Sequence, residues 1–212
     1  MASVSRAPHN NKMIATLTSF ALTSLLIELT PGPNMAWLAA LTLSEGRRIG
    51  FSAVAGVSLG LSVVGLLSVF GLAAAITAIP YAYDALRYAG ALFLLYLAWE
   101  GWQGDGEQAP MSDGAAFGRA LLTNLLNPKA AVFYIAVLPL FITIADDRVI
   151  AQSVVLVAIY VAVATAVHAA IVVFAAALRP YLVEGPHERL VRRVLAFSLA
   201  LVAFWFFFGT RR

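Results

Sequence analysis

The sequence predicts an all-α integral membrane protein with six transmembrane segments, arranged as two inverted three-helix repeats whose first and fourth helices are broken. Its 212 residues are 61% hydrophobic and only 12% charged, which is far too apolar for an ordinary soluble domain. Prolines interrupt two apolar stretches that are too long for one straight crossing. The same order of landmarks also recurs in the two halves of the chain.

The first span begins after residues 1–12, which we expect to form a mobile N-terminal tail and not a cleaved signal peptide. The apolar run from Ile14 to Leu43 would be roughly 45 Å long as one helix. The hydrocarbon core of a bilayer is about 30 Å thick. Because this run contains a carboxylate, Glu28, followed by a Pro-Gly-Pro sequence, we predict two half-helices that meet at an unwound elbow.

The prolines of this elbow leave backbone groups without helical partners. Pro31 cannot donate to the carbonyl of Ile27, nor Pro33 to that of Leu29, and Gly32 can adopt angles closed to other residues. Carbonyls freed at the end of the first half-helix attract cations, and N–H groups that start the second attract anions. Such an elbow suits a zwitterion in a wet or protein-lined cavity, and a plain packing kink is the alternative.

The second span runs from about residue 49 to 79 and is predicted to end at Pro80-Tyr81. Small residues recur at every fourth position on one of its faces: Ser52, Gly56 and Gly60. This spacing lets helices approach closely, and close approach to a substrate is the alternative. A third span, about 88–102, ends in aromatic residues that are typical of interface anchors.

A polar stretch, residues 103–116, is predicted to link a first repeat (13–102) to a second repeat (117–212). The fourth span, about 120–145, is again too long for one straight helix. Polar residues and prolines interrupt it, with Pro128 freeing the carbonyl of Asn124: Asn124, Asn127, Pro128, Lys129 and Pro139. The fifth span, about 149–178, contains His168 and is predicted to end at Pro180-Tyr181, and a short sixth span reaches Phe208.

The landmarks of the two halves follow the same order. Each half has a broken span, an unbroken span with a Pro-Tyr pair at its end, and a third span. Because three is an odd number, the second half enters the membrane from the opposite side. Interrupted helices at matching places in inverted halves are typical of the midplane binding site of secondary transporters, so we expect the two breaks to share one central site.

Two proline motifs about a hundred residues apart form a specific pattern. The first is Thr30-Pro31-Gly32-Pro33-Asn34-Met35, followed by Gly46-Arg47-Arg48-Ile49-Gly50 and Gly56-Val57-Ser58-Leu59-Gly60. The second is Asn124-Leu125-Leu126-Asn127-Pro128-Lys129-Ala130-Ala131 with Leu138-Pro139, while Gly90 and residues 94–99 fit the third span. Over residues 13–209 the chain resembles the LysE/RhtB family of amino-acid exporters.

The resemblance implies a multi-pass carrier of the bacterial inner (cytoplasmic) membrane. It implies export of amino acids or close derivatives, by antiport against an inward flow of protons. Two positions depart from the family pattern. Leu140 stands where many members have glutamine, which leaves the substrate class open, and Glu100 stands where a basic residue is common, which alters only the local charge balance.

The residues of the two breaks are predicted to bind the substrate: Glu28, Pro31, Gly32, Pro33, Asn34, Asn124, Asn127, Pro128 and Lys129. An ionised Glu28 is costly in the membrane unless it is paired or wetted, so this residue could carry a proton or hold the substrate's ammonium. The alternative is a structural ion pair with Lys129, which the inverted repeat would bring close. Lys129 could likewise meet a substrate carboxylate or simply neutralise Glu28.

The remaining polar residues can each have either a functional or a structural role. Asn34, Asn124 and Asn127 can contact either end of an amino acid, or cap the broken helices. His168 could relay protons, and a structural hydrogen bond to a neighbour is the alternative. We assign proton coupling to Glu28 and His168.

Composition excludes several other classes of protein. Without cysteine, disulfides, thiolate metal sites and dithiol electron carriers are ruled out. A hard metal ion would need several carboxylates, and an intramembrane hydrolase would need a nucleophile and a base. We therefore predict a non-enzymatic exporter without a cofactor or metal, whose partners are the amino acid, protons and the lipid bilayer, and no nucleic acid. A carrier of another solute or metal ion and a non-transporting assembly protein are the alternatives, and a homo-oligomer is left open.

Overall fold

A computed structural model describes residues 7–30, 32–72, 82–102, 111–142, 148–182, 190, 193–198, 200, 201 and 204. This part of the chain is helical and contains no strand. Its α-helices in chain order are α1 Ala7–Leu29, α2 Pro33–Glu45, α3 Arg47–Leu67, α4 Ala82–Trp102, α5 Asp113–Leu125, α6 Pro128–Val132 and α7 Val149–Leu182. A kinked segment, Ser68–Leu72, with a positive φ at Gly71, follows α3, and a π-helical turn (Phe133–Val137) and a 3-10 turn (Leu138–Phe141) follow α6.

Two segments of the described chain are long and apolar enough to cross a membrane, Arg47–Gly71 and Val149–Leu182. Two further pairs of helices, each bent at a short break, are long and apolar enough when the two helices of a pair are counted as one span. In the first, Met13–Leu29 and Pro33–Glu45 meet at 64°, and in the second, Asp113–Leu125 and Pro128–Phe141 meet at 48°. The described residues thus hold two to four candidate spans, and the predicted all-α class and the two helix breaks are confirmed.

Some predicted landmarks lie outside the described residues. They are residues 1–6, Pro31, the Pro80-Tyr81 pair, residues 103–110 and most of the last segment. Elsewhere the boundaries differ from those predicted: α1 begins at Ala7, within the expected tail, and α5 begins at Asp113, within the expected linker. The fifth span was predicted to end at Pro180-Tyr181, and α7 is described to Leu182, one residue beyond that pair. A proline this close to the end of a helix removes one backbone hydrogen bond without preventing the last turn.

Each bent pair packs against the unbroken helix of the other half. In the first half, α1 and α2 both contact α7, while α5 of the second half packs along α3. The long helices that follow the two bent pairs, α3 and α7, also contact each other. The hydrophobic core is therefore shared between the halves, and its buried members come from both of them.

The small-residue face of α3 is the surface that receives α5. Ser52 donates a hydrogen bond to Asp113 Oδ1 at 2.8 Å. A methyl group on Gly56 would collide with the backbone carbonyl of Phe117, and one on Gly60 would lie 2.8 Å from Oδ1 of Asn124. The predicted close packing along this face is confirmed. At Gly60 the same face also meets a residue of the predicted site.

Polar contacts join four helix ends on one side of the bundle. Arg48, at the start of α3, donates to Asp113 at the start of α5 with a distance of 2.6 Å. Arg179, near the end of α7, donates to the Leu43 carbonyl near the end of α2 at 3.1 Å. Because α2 and α7 end where α3 and α5 begin, α2 and α7 run in the opposite direction to α3 and α5.

Candidate functional site

The two helix breaks meet inside the bundle and line one small cavity. Predicted site residues form much of its wall: Glu28, Gly32, Asn34, Asn124, Asn127, Lys129 and His168. Pro33 and Pro128 instead line a neighbouring pocket, and Pro31 lies outside the described residues. The central cavity has about 10 Å³ for a water-sized sphere, roughly the space that a single water requires. In this conformation the cavity is too small for an amino acid.

Glu28, at the end of α1, is the acidic group of the cavity, and only 4% of its surface is exposed. The Tyr160 hydroxyl donates to Oε1 of Glu28 at 2.7 Å. Nζ of Lys129 lies 3.9 Å from the same oxygen, and Nδ1 of His168 lies 4.0 Å from Oε2. These two longer distances exceed those of direct hydrogen bonds. Tyr160 therefore positions the carboxylate, while Lys129 compensates its charge.

Lys129 connects the two breaks. Its ammonium donates to the backbone carbonyl of Thr30 at 3.0 Å, and its Cδ would lie 3.7 Å from a methyl group on Gly32. The Thr30 carbonyl follows the last residue of α1, where the helix dipole favours a cation. A cation is thus found at the end of the first half-helix, as its polarity predicts, and it is the chain's own lysine.

The carbonyls that the prolines deprive of a donor are not left open, contrary to expectation. The N–H of Thr30 donates to the Ile27 carbonyl at 3.1 Å, and the N–H of Asn127 donates to the Asn124 carbonyl at 2.9 Å. In both breaks the residue before the proline closes a tighter, three-residue turn. The prediction of free carbonyls at Ile27 and Asn124 is therefore wrong.

The three asparagines of the site have two different environments. Oδ1 of Asn127 accepts a hydrogen bond from the Lys129 N–H at 3.0 Å and so caps α6. Asn34 and Asn124 are 3% and 1% exposed. Oδ1 of each is buried and receives no hydrogen bond from the described residues. The capping interpretation holds for Asn127, while the other two present acceptors without a donor.

His168, on α7, is buried and lies beside Glu28. Its Nδ1 is 2.7 Å from the carbonyl of Ala164, one turn earlier. Because a carbonyl can only accept, Nδ1 carries the hydrogen, and in the neutral ring Nε2 is the acceptor. The imidazole therefore makes the structural hydrogen bond that was the alternative interpretation, and it also faces the carboxylate.

Tyr160 is a residue of the site that sequence reasoning missed. Its ring stacks on Phe133 with centroids 3.7 Å apart and meets Tyr134 edge-on at 5.2 Å. The hydroxyl of Tyr134 points elsewhere and donates to the Leu61 carbonyl at 2.9 Å. A signal was present in the sequence, because Tyr160 and His168 are eight residues apart and so share one face of α7.

The chemistry of the cavity is that of a site for a small charged molecule. It combines one carboxylate, one ammonium, a neutral imidazole and amide groups in a nearly closed space. Within the described part of the chain, no group of three or more His, Cys, Asp or Glu side chains could hold a metal ion. The donor set therefore suits an organic ion better than a hard metal cation.

The sequence is similar to known proteins over most of its length. A family model described as LysE type translocator matches residues 25–210, which include both helix breaks. Proteins named leucine efflux protein from Salmonella typhimurium and Salmonella typhi are each 32% identical over 133 residues, which cover 59% of this chain and 63% of each relative. An uncharacterised membrane protein from Pseudomonas aeruginosa is 34% identical over 136 residues, which cover 58% of this chain and 62% of that protein.

The chain spans somewhat less than two thirds of the length of these relatives. No solved structure matches it. The family model, by contrast, extends over most of the sequence and contains every described residue of the cavity. On that match, the chain belongs to the LysE type translocator family.

Proposed function

We propose that this chain is a secondary transporter that exports neutral amino acids or close derivatives across the cytoplasmic membrane of a bacterium, in exchange for protons. The observation that carries the proposal is the buried carboxylate of Glu28, held at the junction of two helix breaks with the Lys129 ammonium 3.9 Å away. Membership of a translocator family and the similarity to leucine efflux proteins support the same activity.

An amino acid carries two charges that can each replace one partner of the Glu28–Lys129 pair. Its ammonium binds the Glu28 carboxylate, and its carboxylate binds the Lys129 ammonium. At 3.9 Å the pair lacks the direct hydrogen bonds of a tight ion pair, so its separation costs less. While Glu28 is ionised, each of these buried charges has a partner both with and without the substrate.

The charge balance of the cavity favours a substrate with an uncharged side chain. Glu28 is the acidic residue and Lys129 the basic residue among the described lining residues, and Met35, Leu61 and Ala130 supply apolar wall. A substrate with a charged side chain would bring a third charge without a partner, and burying such a charge is costly. Aliphatic amino acids are therefore the substrate class that fits best.

Exchange with protons follows if one carboxylate serves two cations in turn. Glu28 is ionised while it holds the ammonium of the substrate, and it takes up a proton after the substrate has left. Because the two occupants exclude each other, a proton gradient drives the amino acid in the opposite direction. His168, with Nδ1 4.0 Å from the carboxylate, is placed to pass protons to and from Glu28.

We further propose that residues 13–102 and 117–212 are two inverted three-span repeats. The two bent pairs, each followed along the chain by a long helix, support this arrangement. The packing of each bent pair on the other half's unbroken helix supports it as well. Since the cavity is closed in this conformation, alternating access requires one half to rock against the other around the shared site.

Uptake of labelled leucine into everted membrane vesicles, with and without an acid interior, tests the function. We expect the gradient to drive leucine accumulation in the native protein, and lysine and aspartate to compete poorly. Glu28→Gln should abolish the response to the gradient at a normal protein level. Glu45→Gln is the matched control, because Glu45 is the last residue of α2, at the end away from the helix break. Its carboxylate accepts the Met111 N–H at 3.2 Å.

Two results would contradict the proposal. Gradient-driven accumulation that is unchanged in Glu28→Gln would remove Glu28 from the coupling mechanism. Failure of folded native protein to transport any amino acid would reject the exporter function itself.

A further inference from the structure

Asn34 and Asn124 share an unusual environment. Asn34 is the second residue of α2, and Asn124 lies in the last turn of α5. The two helices come from different halves of the chain, yet both side chains line the central cavity. Both residues are more than nine-tenths buried, and Oδ1 of each receives no hydrogen bond from the residues that the structure describes.

Two buried acceptors without donors lower the stability of the protein. Leaving one buried acceptor without a donor costs about 1–3 kcal/mol, and buried polar atoms in native proteins are nearly always paired. Here two such residues line one cavity together with Glu28, and neither Oδ1 has a donor among the described residues. A ligand that supplies donors would recover this cost.

We infer that Oδ1 of Asn34 and Oδ1 of Asn124 bind the substrate's ammonium together with Glu28. The inference rests on the proposed function and assigns the residues that recognise one end of the substrate. A primary ammonium has three N–H donors and no acceptor, so it matches one carboxylate and two amide oxygens. The backbone carbonyls of Ile27 and Asn124 are less suited to this role, because each already accepts an N–H group of the chain.

Gly60 provides the space for one of these acceptors. A methyl group there would lie 2.8 Å from Oδ1 and 2.9 Å from Cβ of Asn124. Both distances are shorter than the 3.4 Å at which ordinary contacts begin. The glycine on α3 therefore has a second consequence besides helix packing, since it lets the Asn124 amide stay in the wall of the cavity.

The native protein can be tested with analogues that differ only at the amino group. Leucine, N-methylleucine and N,N-dimethylleucine carry three, two and one N–H donors, and 4-methyl-2-hydroxypentanoate has a hydroxyl in place of the ammonium. Competition with labelled leucine in a counterflow assay gives the affinity of each. We expect affinity to fall about tenfold per lost donor, as for a hydrogen bond to a charged group, and the hydroxy acid to compete least.

Variants of the two asparagines separate the acceptor role from mere packing. Asn34→Leu and Asn124→Leu should each weaken leucine binding about tenfold and reduce the difference between leucine and N-methylleucine. Asn34→Asp and Asn124→Asp keep an oxygen acceptor and should preserve that difference. Thr123→Val is the matched control next to Asn124, because the Thr123 hydroxyl donates at 2.7 Å to the Arg119 carbonyl of its own helix.

The outcomes separate this inference from the function on which it rests. If native protein exports leucine but Asn34→Leu and Asn124→Leu discriminate among the analogues as native protein does, the inference is overturned. The proposed exporter function is then unaffected. The same holds if the aspartate variants lose as much affinity as the leucine variants, because the amides would then act as donors. If native protein recognises no amino acid, both proposals fall.

Discussion

Replacing Tyr160 by phenylalanine removes one hydroxyl from the site and leaves the aromatic packing in place. That hydroxyl donates to Oε1 of the buried Glu28 at 2.7 Å. The ring itself is held by stacking on Phe133, with centroids 3.7 Å apart, and this contact does not need the oxygen. The substitution therefore tests how far one hydrogen bond stabilises the carboxylate.

The expected loss follows from the nature of the acceptor. Hydrogen bonds between helices of a membrane protein average about 0.6 kcal/mol, whereas bonds to charged groups contribute about 1.5–3 kcal/mol. Since Glu28 is a buried carboxylate, we expect Tyr160→Phe to lower the free energy of unfolding by about 1.5 kcal/mol. Tyr134→Phe is the matched control, because the Tyr134 hydroxyl donates to a neutral carbonyl at 2.9 Å, and its loss should be about 0.6 kcal/mol.

Unfolding in mixed detergent micelles measures both losses, and a double-mutant cycle identifies their origin. In a Glu28→Gln background the acceptor is neutral, so Tyr160→Phe should then cost no more than Tyr134→Phe. Equal losses for the two tyrosine variants would refute the reasoning. So would a loss for Tyr160→Phe that Glu28→Gln leaves unchanged.

Three further predictions concern the frame of the site. Gly60→Ala brings a methyl group to 2.8 Å from Oδ1 of Asn124, so it should lower stability by about 1–3 kcal/mol and weaken leucine binding in the counterflow assay. Gly118→Ala lies on α5, the helix that carries Asn124, and has nothing within 4 Å of the added methyl, so it should do neither. Asn127→Ala should lower the free energy of unfolding by about 1 kcal/mol through loss of a helix cap, whereas Asn127→Ser should retain most of it. Asp113→Asn should leave the unfolding midpoint unchanged, because its arginine partner is 85% exposed and surface ion pairs contribute little.

The parts of the site that could be predicted from sequence are those set by local chemistry. Pro33 and Pro128 begin α2 and α6 because proline fits the first turn of a helix and cannot continue one. The closeness of Glu28 and Lys129 could also be predicted. It follows from matching the two breaks in the order of landmarks, and the structure has the two charges 3.9 Å apart.

The parts that could not be predicted depend on how helices pack. The contact between Tyr160 and Glu28 joins residues 132 positions apart, and it requires a particular rotation of α7 against α1. The ring of Tyr160 stacks on Phe133 in that rotation. Phe133 lies in a π-helical turn, which the hydrophobic pattern of the sequence does not predict. The fate of the Ile27 and Asn124 carbonyls was mispredicted for a different reason, since a tighter turn can use an N–H that the helix rule assigns elsewhere.

The sharing of the site between halves has a consequence for biosynthesis. Glu28 is made and inserted with the first helices, whereas Lys129, Tyr160 and His168, which surround its carboxylate, are still to be translated. A carboxylate without such partners is costly in the bilayer, so the nascent first half has to keep Glu28 near water or near other protein until α7 arrives. The first half is then not a finished folding unit, because helices translated later complete the environment of Glu28.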